Sequence, residues 1–183
     1  MVTDSEAEGG VPYIMAFTRE VLRYFTALRL ALPRSNESDV RYNEILIPRG
    51  STIFLNAWAC NMDPDAFDEP HTFCPERFLS KPDLPIFTYG LGGRMCVGYI
   101  LGNRQLYILF LRLISTFRII PDPQAKISSC DPVKGVFDSK TLVSQPERFR
   151  CHFIPRNDKI KDWLSGHIEV RGGDEKEVPS GNS

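Results

Sequence analysis

Tyr89-Gly90-Leu91-Gly92-Gly93-Arg94-Met95-Cys96-Val97-Gly98 is a glycine-rich loop that runs directly into an apolar stretch, read as a helix from about Val97 to Phe117. Glycines permit positive φ and let backbone approach a bound group closely. A helix start presents unpaired N–H groups and a partial positive charge, which suits a negatively charged sulfur at Cys96. A sulfur so placed serves as nucleophile or as metal ligand. Arg94, two residues upstream, is positioned for charge-assisted hydrogen bonds to a carboxylate-bearing ligand. A lone free cysteine is most often a small apolar filler, so the surroundings must decide. A phosphate-binding Gly-x-Gly-x-x-Gly would need glycine at Met95, and no Gly-Lys-Ser/Thr follows. No Gly-x-Ser-x-Gly hydrolase elbow exists in the chain.

Working outward, the helix after the loop is apolar nearly all round and is expected to be central. An earlier helix starts at Pro12 and ends before Pro33, with Ile14, Phe17, Val21, Phe25 and Leu28 in one stripe. Glu20 and Arg23 lie at the flank of that stripe, where partial burial is expected. Ile45-Leu46-Ile47 and Thr52-Ile53-Phe54-Leu55, separated by Pro48-Arg49-Gly50-Ser51, predict a β-hairpin. Residues 62–88 hold too many prolines for a long helix but interleave Phe67, Phe73 and Phe78 with charges, an irregular segment pinned by aromatics. Beyond Pro121-Asp122-Pro123 the chain reads as turns and strands, clearest at Thr141-Leu142-Val143 and Phe149–Ile154. Residues 1–10 read as a flexible lead-in, 11–156 as the folded unit and 157–183 as a polar tail, disordered from about 164.

With 183 residues, 42% apolar and 25% charged, the chain has the composition of one soluble globular domain or a large piece of one. Its 22 basic and 23 acidic side chains leave a formal charge of −1, with no basic stripe for nucleic acid or for an anionic membrane. Five unevenly spaced cysteines, without a secretory start, argue against a disulfide framework. The apolar stretch from Tyr99 to Ile114 is interrupted by Gly102, Asn103, Arg104 and Gln105 and is too short to span a bilayer.

The loop resembles the haem-binding loop of cytochrome P-450 monooxygenases: Tyr89, Gly92, Arg94, Cys96 and Gly98 fill its aromatic, Gly, Arg, Cys and Gly places. The usual first Phe is Tyr89 here, a shape-conserving change expected to keep the ring packed on the thiolate side. Two further signatures follow in the family's order. Glu20-Val21-Leu22-Arg23 resembles the Glu-x-x-Arg of helix K, and Pro75-Glu76-Arg77-Phe78 resembles the meander motif whose arginine joins that pair. Each alone is weak, and Pro-Glu-Arg-Phe recurs by chance at Pro146-Glu147-Arg148-Phe149, within an expected late strand. Together they are specific.

The resemblance implies a mainly α fold with small β-sheets (α+β), the C-terminal portion of the P-450 fold, over residues 11–156. It implies haem b with Cys96 as the axial ligand of its iron and hence the catalytic residue, and a structural triad of Glu20, Arg23 and Arg77. Arg34 falls where many members place a propionate-binding Arg or His, and Val136 and Phe137 fall near the last substrate-contacting segment, although core packing is the plainer expectation for both. His71 and His152 match no role. The implied partners are O₂, a small organic substrate and an NADPH-dependent reductase, at the cytosol or the cytosolic face of the endoplasmic reticulum. The loop and its helix look closest to fungal members that hydroxylate small aromatic acids. The chain is expected to be a truncated product, with no counterpart of the long distal helix or of an anchor, and to turn over weakly or not at all by itself. Two other readings are a non-enzymatic haem-binding fragment and, on poorer spacing, a zinc module built from Cys60, His71, Cys74 and Cys96.

Overall fold

Pro12 occupies the first turn of α1 (Pro12–Tyr24), where its missing N–H is no loss and its fixed φ suits a helix. The computed structural model describes residues 10–125, 129–138 and 140–167, so the lead-in apart from Gly10 and the tail beyond His167 lie outside the described residues. α1 buries Ile14, Ala16, Thr18, Glu20 and Arg23. Within the expected apolar stripe, Phe17, Val21 and Leu28 are only half-buried and Phe25 is exposed. Glu20 and Arg23, expected at the flank, instead occupy the most buried face of the helix.

The helix also ends earlier than Pro33. The Thr26 hydroxyl turns back to donate to the Arg23 carbonyl at 2.8 Å, giving the backbone a side-chain partner in place of the next helical bond. Ala31, at φ 48°, adopts a left-handed conformation that no continuing right-handed helix contains.

The expected hairpin between Ile45–Ile47 and Thr52–Leu55 does not form. β3 (Ile45–Ile47) pairs antiparallel with β2 (Val40–Tyr42), and β4 (Thr52–Ile53) pairs antiparallel with β1 (Arg34–Ser35). Asn43, at φ 54°, makes the tight β2–β3 turn, a conformation that Asn tolerates better than most residues. Pro48–Ser51 therefore links two separate pairs rather than two partners. Gly50, at φ 79°, donates its N–H to the Asn36 carbonyl at 3.0 Å and ties the two pairs together.

α2 (Ala57–Asn61) starts under the Asn56 side chain, whose Oδ1 accepts the Ala59 N–H at 3.0 Å. The irregular segment that follows contains the short α3 (Glu76–Ser80). Its phenylalanines do pin it: Phe67 and Phe78 form the core with Ala16 of α1, and Ala66, Leu84 and Ile86 pack around them. Arg19 reaches from α1 to donate to the Pro82 and Leu84 carbonyls, its guanidinium 4.6 Å from the Phe78 ring centre.

α4 (Tyr99–Thr116) is the helix expected to be central, yet none of its residues is buried. One side meets α1, with the Phe17 and Phe110 rings edge to face at 5.0 Å and the Tyr107 hydroxyl accepting the Val11 N–H at 2.8 Å. Elsewhere Ile100, Leu101, Ile108 and Leu109 are exposed.

β5 (Phe117–Pro121) and β6 (Cys151–Pro155) pair antiparallel from Phe117 opposite Pro155 to Pro121 opposite Cys151. The sequence reading placed Phe117 in the helix and missed β5, because the apolar run crosses from helix to strand without a break in pattern. Thr141–Val143 is not a strand. The Thr141 hydroxyl lies 2.9 Å from both the Asp138 and Val143 carbonyls and holds a local bend, while Val136 makes an isolated bridge with Pro146. The second Pro-Glu-Arg-Phe is accordingly outside any strand. α5 (Asp158–His167) runs through residues expected to lose order from about 164; Asn157 caps it, with Oδ1 accepting the Ile160 N–H at 3.0 Å. The described residues thus form a mainly helical unit with three small two-stranded sheets, an α+β arrangement.

Candidate functional site

The site has a buried junction and an exposed loop. At the junction α1 presents Glu20 and Arg23, one helical turn apart, to the irregular segment. Arg23 Nε donates to Glu20 Oε2 at 2.8 Å and Nη2 to Oε1 at 2.7 Å, with both side chains sealed from solvent. Arg77 of α3 adds its Nε at 3.3 Å from Oε2. The Cys74 N–H donates to Oε1 at 2.8 Å, so the carboxylate is saturated.

Both arginines spend their remaining donors on backbone carbonyls. Arg23 Nη1 donates to Asn61 and Pro70 at 2.8 Å each, and Arg77 Nη1 and Nη2 donate to Asp68 at 2.6 Å and Thr72 at 3.1 Å. Planar forks of this kind match several acceptors at once, which a lysine does not. The three residues read together from sequence are therefore together in space; Glu20 and Arg23 are completely rather than partly buried, and Arg77 is half-buried at their edge.

One residue here escaped the sequence reading. Asn61, wholly buried at the end of α2, accepts the Phe87 N–H on Oδ1 at 2.9 Å and donates from Nδ2 to Thr26 Oγ1 at 2.7 Å and Thr88 Oγ1 at 3.2 Å. A carboxamide within Trp58-Ala59-Cys60-Asn61-Met62, otherwise apolar, was the available signal.

Thr88 leads into the loop. Gly90, at φ 85°, closes a turn by donating to the Phe87 carbonyl at 2.9 Å. The Cys96 N–H then donates across the loop to the Tyr89 carbonyl at 2.8 Å, while Met95 N–H donates to Gly92, itself at φ 60°, at 3.0 Å. The loop is closed by its own backbone, and its sulfur is left outside: Cys96 is exposed and Val97 is 99% exposed. Gly98 caps α4, and a Cβ added there would meet only the Cys96 sulfur, at 3.9 Å. The space in front of the loop is open for a flat group.

Tyr89 packs against α4. Its hydroxyl donates to Asn103 Oδ1 at 3.0 Å, and a Cβ on Gly102 would come within 3.1 Å of the Tyr89 hydroxyl oxygen. Gly102 is thus the notch that seats the ring on α4, a second residue that the sequence reading passed over. Burial, and after it the neighbouring charge of Cys96, raises the Tyr89 phenol above its ordinary value.

Arg34 and Arg94, read separately in sequence, are neighbours: Arg34 Nη2 donates to the Arg94 carbonyl at 2.8 Å. They line a cavity of about 730 Å³ with Leu32, Pro33, Ser35 and Glu37. An accessible sulfur, an open glycine face and two guanidinium groups against one carboxylate fit a flat, sulfur-ligated iron group bearing carboxylates.

The zinc arrangement does not assemble. Cys74 Sγ lies 3.4 Å from Glu76 Oε2 and the His71 ring lies by Trp58, and among the described residues no three His, Cys, Asp or Glu side chains converge on a common point. Phe137 is exposed, against its expected core packing, and His152 Nε2 lies 3.6 Å from Asp122 Oδ1. Among the described residues no helix is long and apolar enough to cross a membrane.

A family profile described as Cytochrome P450 matches residues 5–151. The 3-hydroxyphenylacetate 6-hydroxylase of Emericella nidulans is 47% identical over 146 residues, 80% of this chain and 28% of that protein. The phenylacetate 2-hydroxylase of the same organism is 35% identical over 167 residues, 86% of this chain and 32% of that protein. Among solved structures, a zebra fish cytochrome P450 with abiraterone superposes with a TM-score of 0.70 at 29% identity, over 80% of this chain and 34% of that one. The chain spans about a third of the length of such proteins or less.

Proposed function

The chain belongs to the cytochrome P450 family, and on that premise we propose that its folded part forms the haem-binding side of a haem-thiolate monooxygenase acting on a small aromatic acid. The observation that carries this reading is the accessible Cys96 sulfur at the mouth of a backbone-closed glycine loop, beside the joined pair Arg34 and Arg94. When bound, haem b supplies activation of O₂ and transfer of one oxygen atom to the substrate, the sulfur ligand favouring O–O cleavage.

In this account the protein's own tasks are positional. Cys96 holds the iron by its sulfur, and the Cys96 N–H, tied to Tyr89, fixes where that sulfur stands. Gly92 and Gly98 leave room for a flat ring, while Arg94 and Arg34 receive its carboxylates. Tyr89 braces the loop against α4 through Asn103. Glu20, Arg23 and Arg77 hold the irregular segment behind the loop and touch no reactant. Electrons come from an NADPH-dependent reductase.

The substrate class rests on the two Emericella relatives, named for hydroxylation of arylacetates. A second reading, haem binding without appreciable turnover by this 183-residue chain alone, is favoured by the exposed apolar side of α4. One experiment separates the two. The purified chain is loaded with haem, reduced under carbon monoxide, and then supplied with reductase, NADPH and phenylacetate or 3-hydroxyphenylacetate. A thiolate-type carbon monoxide band supports the site, and ring-hydroxylated product in addition supports turnover. The band without product leaves the second reading standing, and absence of the band contradicts both.

A further inference from the structure

Among the described residues no hydrogen bond joins the triad directly to the cysteine loop, so the position of one reaches the other through intermediaries. Asn61 stands between the two: its side chain bonds Thr26, just past the end of α1, and Phe87 and Thr88 at the root of the loop. Its backbone carbonyl accepts Arg23 Nη1 at 2.8 Å. Its side chain holds Phe87 N–H and Thr88 Oγ1, two residues and one residue before Tyr89. Thr88 Oγ1 in turn donates to the Leu22 carbonyl of α1 at 2.6 Å, and Thr26 Oγ1, the other partner of Asn61, donates to the Arg23 carbonyl.

We propose that Asn61 is a positioning residue for the cysteine loop: it converts the fixed geometry of the Glu20–Arg23 pair into a fixed position for Phe87 and Thr88, and through them for Cys96. The hydrogen bonds leave little slack. Nδ2 spends both of its protons on two hydroxyls whose own protons go to α1 carbonyls, and Oδ1 takes the Phe87 amide. Each partner is used once, so the carboxamide has one orientation, and a fully satisfied buried network of this kind specifies a single arrangement. Phe87 is also the acceptor of the Gly90 N–H, the first turn of the loop. A shift at Phe87 therefore moves the loop at its hinge.

The inference rests on the reading of Cys96 as iron ligand for its meaning in catalysis, but its test does not need haem. Amide hydrogen exchange is measured on the purified chain and on Asn61→Ala. The expected result is exchange roughly tenfold or more faster at Phe87, Gly90 and Cys96, from loss of a buried hydrogen-bond hub, with α4 and β5–β6 amides unchanged. Uniform acceleration across α4 and β5–β6, or no change at Phe87 and Cys96, overturns the proposal.

Should Asn61→Ala fail to fold, Thr88 decides. Thr88→Val removes the hydroxyl at nearly constant shape, whereas Thr88→Ser keeps it. Local acceleration in Thr88→Val with native exchange in Thr88→Ser supports the relay, and equal behaviour of the two overturns it. In the haem-loaded protein, Thr88→Val should also lose part of its thiolate-type carbon monoxide band and Thr88→Ser should keep it. Failure of Cys96→Ser to alter haem binding would remove the catalytic meaning, while the exchange result would still decide the relay.

Discussion

Arg23 and Glu20 meet in a two-pronged contact, Nε to Oε2 at 2.8 Å and Nη2 to Oε1 at 2.7 Å, and neither side chain reaches solvent. A pair this buried contributes order rather than a large net energy, because desolvating two charges offsets much of their attraction. Removing one partner is another matter. It strands the other charge in the interior.

Arg23→Ala should therefore cost about 3–5 kcal/mol of stability, read as a fall in the denaturation midpoint and as lost haem uptake. Arg23→Lys should recover little of this, since an ammonium cannot serve Glu20 in parallel while reaching the Asn61 and Pro70 carbonyls. Wild-type melting in Arg23→Ala would remove the junction from this account.

Gly102→Ala sets helix propensity against space. In an open helix the change gains up to about 1 kcal/mol, but here the new Cβ would stand 3.1 Å from the Tyr89 hydroxyl oxygen. The single variant is expected to be neutral or destabilised. In a Tyr89→Phe background, where the oxygen is gone, the same change should become stabilising, and additive effects in the double-mutant cycle would contradict the notch.

Alkaline pH tests the same contact. The phenol of Tyr89 is raised above the ordinary 10.0 by burial and then by the charge of Cys96, so the folded state holds that proton more tightly than the unfolded chain. Its stabilising contribution is complete below pH 10.0 and is lost as pH climbs through the higher folded value. Tyr89→Phe should flatten part of that alkaline fall in melting temperature; an unchanged slope would assign it to other groups.

Arg34 and Arg94 should act on the cofactor rather than on the fold. Both are exposed, so replacing either with Ala should leave chain stability within about 0.5 kcal/mol. Each is expected to speed haem loss, and the double variant more than either alone. Haem release rates at wild-type level in the double variant would reassign the pair to the solvated surface.

How much of this was legible depended on what kind of signal each feature leaves. Cys96 and its glycines carried backbone requirements that show as residue types at fixed spacing. Glu20, Arg23 and Arg77 were identified, but the depth of Glu20 and Arg23 was misjudged, because a projection of apolar residues assigns charges outward and cannot know that Phe67 and the carbonyls of the irregular segment will enclose them. The strand partners of Ile45–Ile47 and Thr52–Ile53 were wrong for a related reason: a Pro-Gly turn says that the chain reverses, not which strand is next. Asn61 and Gly102 matter through contacts distant in sequence, with Phe87 and with Tyr89, and neither belongs to a motif.

The most direct measurement is the absorption spectrum of haem-loaded Cys96→Ser beside wild type, reduced under carbon monoxide. The account predicts a thiolate-type band in the wild-type chain and its complete loss in the variant, with exchange at Phe87 unchanged. Identical spectra from the two proteins would contradict it.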